Sequence, residues 1–326
     1  MFKFLRYVSI FLIIACLLFA CHAWAPTELK RPPLKVEFAS FIGEYPGIIA
    51  QKKGFFKAQG VDVELIHKRY TQLEQANFNA GKYDGITLSL GSFILLSATN
   101  PDIQSVIVMD ESTGADVVVA QSQIKTVADL KGKKLGANLG GFSEVFVTEM
   151  LKSANLTSDD LNLLKLEASE IPQHLKNNVI QAGHTWEPYL SEAIKSGGHI
   201  VFSSKQTPGL ILDIIVFRGD TIRDRPEDIR AFVRGWLQAS AYWKANVPEG
   251  NAIVSKELKI PSNTLSLEGV NLTDLAENKK LFQSSNPNSI YKTAKIYADF
   301  FIRSGNVTRI PELKSLFNSS LLNPPS

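Results

Sequence analysis

The chain has 326 residues, 44% of them hydrophobic and 21% charged, with a formal net charge of +3. That is enough apolar chain for two lobes with separate cores, and too little positive charge to leave a nucleic-acid footprint. Both cysteines, Cys16 and Cys21, fall near the N-terminus, so the rest of the chain has no disulfide, thiolate metal site or cysteine nucleophile.

The N-terminus opens with Lys3 and Arg6, followed by an uncharged apolar run over residues 7–20. A membrane-spanning helix needs about 20 apolar residues, so this run suits the core of an export signal. Leu18-Phe19-Ala20-Cys21 resembles a bacterial lipobox, which makes Cys21 the expected lipidation site and mature N-terminus. The alternative is an ordinary secretory signal cut near Ala23. Residues 1–20 are thus read as a lipoprotein-type signal peptide. Residues 21–33, with Pro26, Pro32 and Pro33, are read as a tether.

Strands and helices then alternate, as in α/β units built on a mainly parallel sheet. Residues 34–39 (LKVEFA) alternate apolar and polar and predict the first strand. Residues 46–59 predict one helix stopped by Gly60. Strands are expected at 61–66, 85–88, 106–109 and 117–120, with helices at 73–80 and at 93–98, the latter capped by Ser92. The pattern restarts with VADLKGKK at 127–134 and a strand at 135–138. Gly140 and Gly141 open a helix to about Ser153. Strands follow at 162–166, 182–186, 199–202 and 211–217, with helices at 170–178 and 189–196. From Pro226 the chain is mainly helical. Trp236 and Trp243 lie seven apart on one helix face and read as core.

Two α/β cycles and a helical C-terminal third predict two lobes joined by two crossings. The first lobe takes residues 34–120 plus 213–326, and the second takes 121–212. In open α/β sheets ligands bind beyond the carboxyl ends of the strands, so the site is expected in the cleft between the lobes.

At this point the residues resemble a known group. GFFKAQGVDVEL (54–65), AGKYDG (80–85), DESTGAD (110–116), VADLKGKKLG (127–136) and TWEPYL (185–190) occur in an order and spacing similar to those of ABC-importer solute-binding proteins. The group is the one that handles nitrate, sulfonate, taurine and thiamine-pyrimidine precursors. The resemblance implies a two-lobed type II periplasmic-binding fold, α/β, with the ligand cleft between lobes. It also implies an ABC permease with its ATPase as partner, a monomeric state and a cell-envelope location. Catalytic residues, metals and cofactors are not expected, and neither is nucleic acid.

The candidate ligand residues sit in loops at strand ends. They are Ser40, Phe41 and Tyr45 after the first strand, Thr87 and Ser89 at the third, and Asp110 and Glu111 at the fourth. The second lobe adds Gly140, Gly141, Phe142 and Ser143, then Thr185, Trp186 and Glu187, and Asp213 lies in the returning strand. Gly140 and Gly141 could expose helix-start N–H groups to an anion or carbonyl; equally, they permit a tight turn. Trp186 could stack on a flat ligand or pack as structure. These loops also carry Glu44, Asp116 and Glu144 but no Lys or Arg, which tilts the reading towards an amine, amidine or aminopyrimidine and away from nitrate or sulfonate.

Two other readings stand beside import. An enzyme related to thiamine-pyrimidine synthases would need His- and Cys-rich metal ligation, but His67, His174, His184 and His199 have no ligand spacing. A ligand-sensing receptor would use the same clamshell.

Overall fold

The alternating LKVEF run forms β1 (Leu34–Phe38) of a computed structural model that describes residues 31–68 and 72–323. The expected signal, Cys21 and most of the tether lie outside the described residues. A 3-10 turn over Ile42–Glu44 leads into α1 (Pro46–Lys52) and α2 (Phe55–Ala58). The single helix expected over 46–59 is broken because Gly54 sits at φ +74°, a left-handed conformation that suits glycine and ends the first helix. There follow β2 (Val63–His67), α3 (Gln72–Asn79), β3 (Gly85–Ser89), α4 (Leu90–Ser97), β4 (Ile103–Ser112) and β5 (Val117–Ala120). Ser89, in extended backbone conformation, caps α4 by accepting the Ser92 N–H at 3.2 Å. The helix therefore starts three residues before the expected Phe93, and Ser92 belongs to its first turn.

The second cycle gives β6 (Lys134–Ala137), α5 (Phe142–Lys152), β7 (Asn162–Lys165), α6 (Ile171–Lys176), β8 (Ala182–Thr185), α7 (Tyr189–Lys195) and β9 (His199–Ser203). The chain returns through β10 (Leu212–Arg218) to α8 (Gly219–Asp224), α9 (Pro226–Ala245) and α10 (Val247–Leu258). It ends with β11 (Val270–Leu272), α11 (Leu275–Leu281) and α12 (Ile290–Arg303). The short strand β11 carries no pattern that the sequence reading detected.

Two sheets result. The first runs β11-β4-β10-β3-β1-β2, and the second β7-β6-β8-β5-β9. In the first, β1, β2 and β3 are parallel, and β10 runs antiparallel between β3 and β4. In the second, β5 runs antiparallel between β8 and β9. The expected lobe boundary at 120/121 is thereby corrected: residues 117–120 belong to the second sheet, because β5 pairs with β8 and β9. The chain leaves the first sheet after Ser112 and re-enters it at Leu212.

The helical C-terminal part packs on the first sheet. Phe232 on α9 stacks on Phe56 with ring centroids 5.1 Å apart and packs edge-on against Phe217 of β10. Trp236 and Trp243 are fully buried, as their helical spacing predicts. A separate apolar cluster of Val119, Ile171, Leu175, Ile180 and Ala193 covers one face of the second sheet. Dispersion and apolar burial of this kind stabilise both layers.

The two crossings are tied to each other. Ser112 Oγ and Ser204 Oγ lie 2.8 Å apart, and Ser204 Oγ also accepts the Gly114 N–H at 2.7 Å. The Asp116 N–H donates to Ser112 Oγ, and the Ser204 N–H to the Asp116 carbonyl. The backing of the cleft is thus a short, paired, hydrogen-bonded segment.

Candidate functional site

Strands β1, β3 and β4 point the same way, so the loop after β1, Ser89 and the Asp110–Ser112 end of β4 share one edge of the first sheet. Asp213 opens β10 in register with Ser89 on one side and Asp110 on the other. The 3-10 turn after β1 folds over this edge: a Cβ on Gly43 would stand 1.9 Å from Asp110 Oδ2, so only glycine lets the backbone lie there.

This edge concentrates acid. Asp110 is fully buried, and both its carboxylate oxygens lack a hydrogen-bond partner. Glu44 Oε2 is also buried and unpartnered, and the Thr87 hydroxyl is directed at the Glu44 carboxyl, where it works against the effect of burial. Asp213 is only partly buried. Burial pushes Glu44 up to about 7. Burial raises Asp110 well above the usual carboxylate range, with the Asp213, Glu44, Asp116 and Glu111 charges adding to it. Asp213 is raised by burial and then by Glu44 and Asp116. Tyr45 is buried beside Glu44 and Tyr189, and its phenol is pushed upward by burial and by Glu44. Farther along β1, Glu37 is another buried acid without partners, pushed up to about 9 by burial and then by Glu44 and Glu74.

The opposite wall comes from the second sheet. Phe142 opens α5, and a Cβ on Gly91 of α4 would meet Phe142 Cβ at 2.8 Å and Tyr297 Cε1 at 2.9 Å, so α4 and α5 approach closely there. His184 on β8 is buried, with Nδ1 2.9 Å from Ser143 Oγ and Nε2 3.1 Å from Asp116 Oδ1. A carboxylate only accepts, so Nε2–H donates to Asp116, and with the ring neutral Nδ1 accepts the Ser143 hydroxyl proton. Phe142, Phe146 and Trp186 surround the imidazole at centroid distances of 5.8, 4.9 and 5.5 Å.

The sequence-selected residues therefore divide. Thr87, Asp110, Asp213 and Tyr45 gather at the first wall. Phe142, Ser143 and Trp186 gather at the second. Ser40 is exposed and pairs with His67 Nε2 at 2.9 Å, while Phe41 packs on the core. Ser89 is spent as a helix cap. Glu111 accepts the Gly209 N–H at 2.7 Å, tying β4 to the returning crossing. Thr185 donates to the Ala168 carbonyl, and exposed Glu187 accepts from Ser191 at the start of α7. Gly140 and Gly141 form the turn into α5, and the Gly140 N–H already donates to the Glu144 carboxylate at 2.7 Å. Glu44 and Asp116 were visible as loop acids, but their convergence with Asp110 was not. His184 was passed over because its partners lie 41 and 68 residues away in sequence.

The model of the family described as NMT1/THI5 like matches residues 43–249 of the chain. A Brucella abortus protein provisionally named a binding protein is 23% identical over 281 residues, covering 84% of this chain and 86% of that one. Among solved structures, the periplasmic aliphatic sulphonate binding protein of Escherichia coli superposes with a TM-score of 0.75 at 16% identity, covering 88% of this chain and 92% of the other. The periplasmic nitrate-binding protein of Synechocystis PCC 6803 gives 0.67 at 15% identity, with 90% and 87% covered. The fold is that of periplasmic binding proteins.

Proposed function

We propose that this chain, which belongs to the NMT1/THI5-like family, is an exported solute-binding protein that closes two lobes on a small molecule and presents it to an ABC importer. One observation carries this reading. The chain forms two sheets, and among the described residues it passes between them by two crossings laced by Ser112 and Ser204, with Asp110, Asp116 and His184 close by. Such a backing permits hinge closure around a ligand. The molecule is bound without being transformed: the groups at the cleft serve to hold a solute, and release follows reopening. Sulfonate and nitrate binding by the neighbours supports a small polar solute.

The test is thermal unfolding of the exported protein with a panel of small anions, cations and neutral heterocycles. A ligand at a hundredfold its dissociation constant adds about 2.7 kcal/mol of stability. A saturable shift with one class is expected, and no shift with any of them would remove the reading.

Lipid anchoring through Cys21 is part of the same proposal, supported by the LFAC sequence after an uncharged apolar run. Labelled palmitate fed to expressing cells is expected to enter the wild-type chain and not Cys21→Ser. Incorporation that survives the substitution would exclude this anchor.

A further inference from the structure

We propose that the cleft takes a small organic cation, an ammonium or amidinium group whose N–H donors are received by Asp110, Asp213 and Glu44 beside the Thr87 hydroxyl. The inference rests on the solute-binding reading and names its ligand class. It departs from the oxyanions bound by the sulfonate and nitrate proteins that share the fold.

The first argument is an inventory of acceptors without donors. Asp110 is fully buried with two unpartnered oxygens, and Glu44 Oε2 is buried and unpartnered as well. The uncharged Thr87 hydroxyl, 1% exposed, is directed at the Glu44 carboxyl and does not relieve Asp110. A buried polar group left without a partner is costly, and a buried charge more so. A donor brought from outside would offset that cost. Asp213, partly exposed and in register with Asp110, is the member of the group that solvent reaches.

No cationic side chain at this wall, among the described residues, is left to receive an anion. Among the described residues, Asp110, Asp213 and Glu44 take part in no ion pair. The nearby base, His184, has both ring nitrogens engaged, by Ser143 and Asp116. The start of α4 is capped by Ser89, and the Gly140 N–H at the start of α5 is held by Glu144. A sulfonate or nitrate entering this wall would meet carboxylates and no free cation. An ammonium or amidinium group supplies several N–H donors and the opposite charge, and charge-assisted bonds of this kind are the strong ones. Burial and mutual repulsion raise Asp110 and Asp213, which agrees with a group of acids left short of positive charge. Phe142 and Trp186, 5.8 Å apart, line the opposite wall and can cover the carbon skeleton of such a ligand.

The experiment uses the exported full-length product, extensively dialysed, and calorimetric titration with putrescine, agmatine and acetamidine against ethanesulfonate, nitrate and uracil. At least one cation is expected to bind saturably while the two anions do not. Asp110→Asn and Asp213→Asn are each expected to weaken that cation by about tenfold or more, the loss of one charge-assisted hydrogen bond. Thr87→Val is expected to weaken it less, and Asp299→Asn, on the exposed face of α12, to leave it unchanged. Unfolding of each variant without ligand checks folding, and Asp110→Asn is expected to melt no lower than wild type. Preferential binding of ethanesulfonate, nitrate or uracil would overturn the cation while leaving solute binding intact. Cation binding unchanged in both Asp110→Asn and Asp213→Asn would overturn the site. No binding by any compound would remove the solute-binding reading and this inference with it.

Discussion

The two walls of the cleft are built on opposite principles. On the second-sheet wall every polar group of the Ser143–His184–Asp116 chain has a partner, and aromatic rings enclose it. On the first-sheet wall Asp110 and Glu44 are as deeply buried and keep unpartnered oxygens. A satisfied buried network rigidifies a fold, whereas an unsatisfied one lowers stability unless a ligand completes it. The proposed site follows this contrast, with structure on one wall and recognition on the other.

The largest effect tests the structural wall. Phe146 is fully buried with its ring against His184 and Phe202. Phe146→Ala is expected to cost about 3–5 kcal/mol in denaturant unfolding, through lost apolar contact and the cavity left behind. A loss well under 1 kcal/mol would mean that this wall is loosely packed, and the contrast would fail.

The recognition wall is tested by pH. Glu44 is raised from 4.5 to about 7, so the folded chain holds this proton more tightly than the unfolded chain. The stability lost to burying the charge is absent below about pH 4.5 and complete above about pH 7. Without ligand, stability is therefore expected to fall as pH rises through that window, by about 3 kcal/mol from this group. Asp110 and Asp213 act in the same direction, and Glu37 extends the decline towards pH 9. Urea unfolding across this range would show it, and Glu44→Gln should flatten the slope between pH 4.5 and 7. A profile that rises over this window would mean that the acids are paired in solution.

Much of the scaffold was legible from local pattern. LKVEF alternates as a half-covered strand should, and the seven-residue spacing of Trp236 and Trp243 placed both in the core. What failed was information that does not lie within a short window. VVVA (117–120) is wholly apolar, so its sequence states that it is buried but not in which sheet; pairing with His184 and Phe202 decides that. The site was legible as composition, an excess of acid in strand-end loops without Lys or Arg. It was not legible as geometry, because the approach of Gly43 to Asp110 and the His184 contacts join segments far apart in sequence.

The smallest effect concerns the helix that begins at the recognition wall. SLGS offers two serines, and the sequence alone favoured Ser92 as the cap. The backbone reverses this: Ser89 has φ −66° and ψ 148°, the extended conformation a cap residue needs, while Ser92 lies within α4. Ser89 Oγ accepts the Ser92 N–H and donates to Ser92 Oγ at 3.0 Å, so the two hydroxyls are not equivalent. Ser89→Ala removes an acceptor from a helix-start N–H and is expected to cost about 1 kcal/mol, whereas Ser92→Ala, which leaves that N–H bonded, should cost a few tenths. The pair also sharpens the reading of the wall. If Ser89 only caps α4, its substitution lowers stability and leaves ligand affinity in place. An affinity loss larger than that of Thr87→Val would instead move Ser89 from the scaffold into the ligand site.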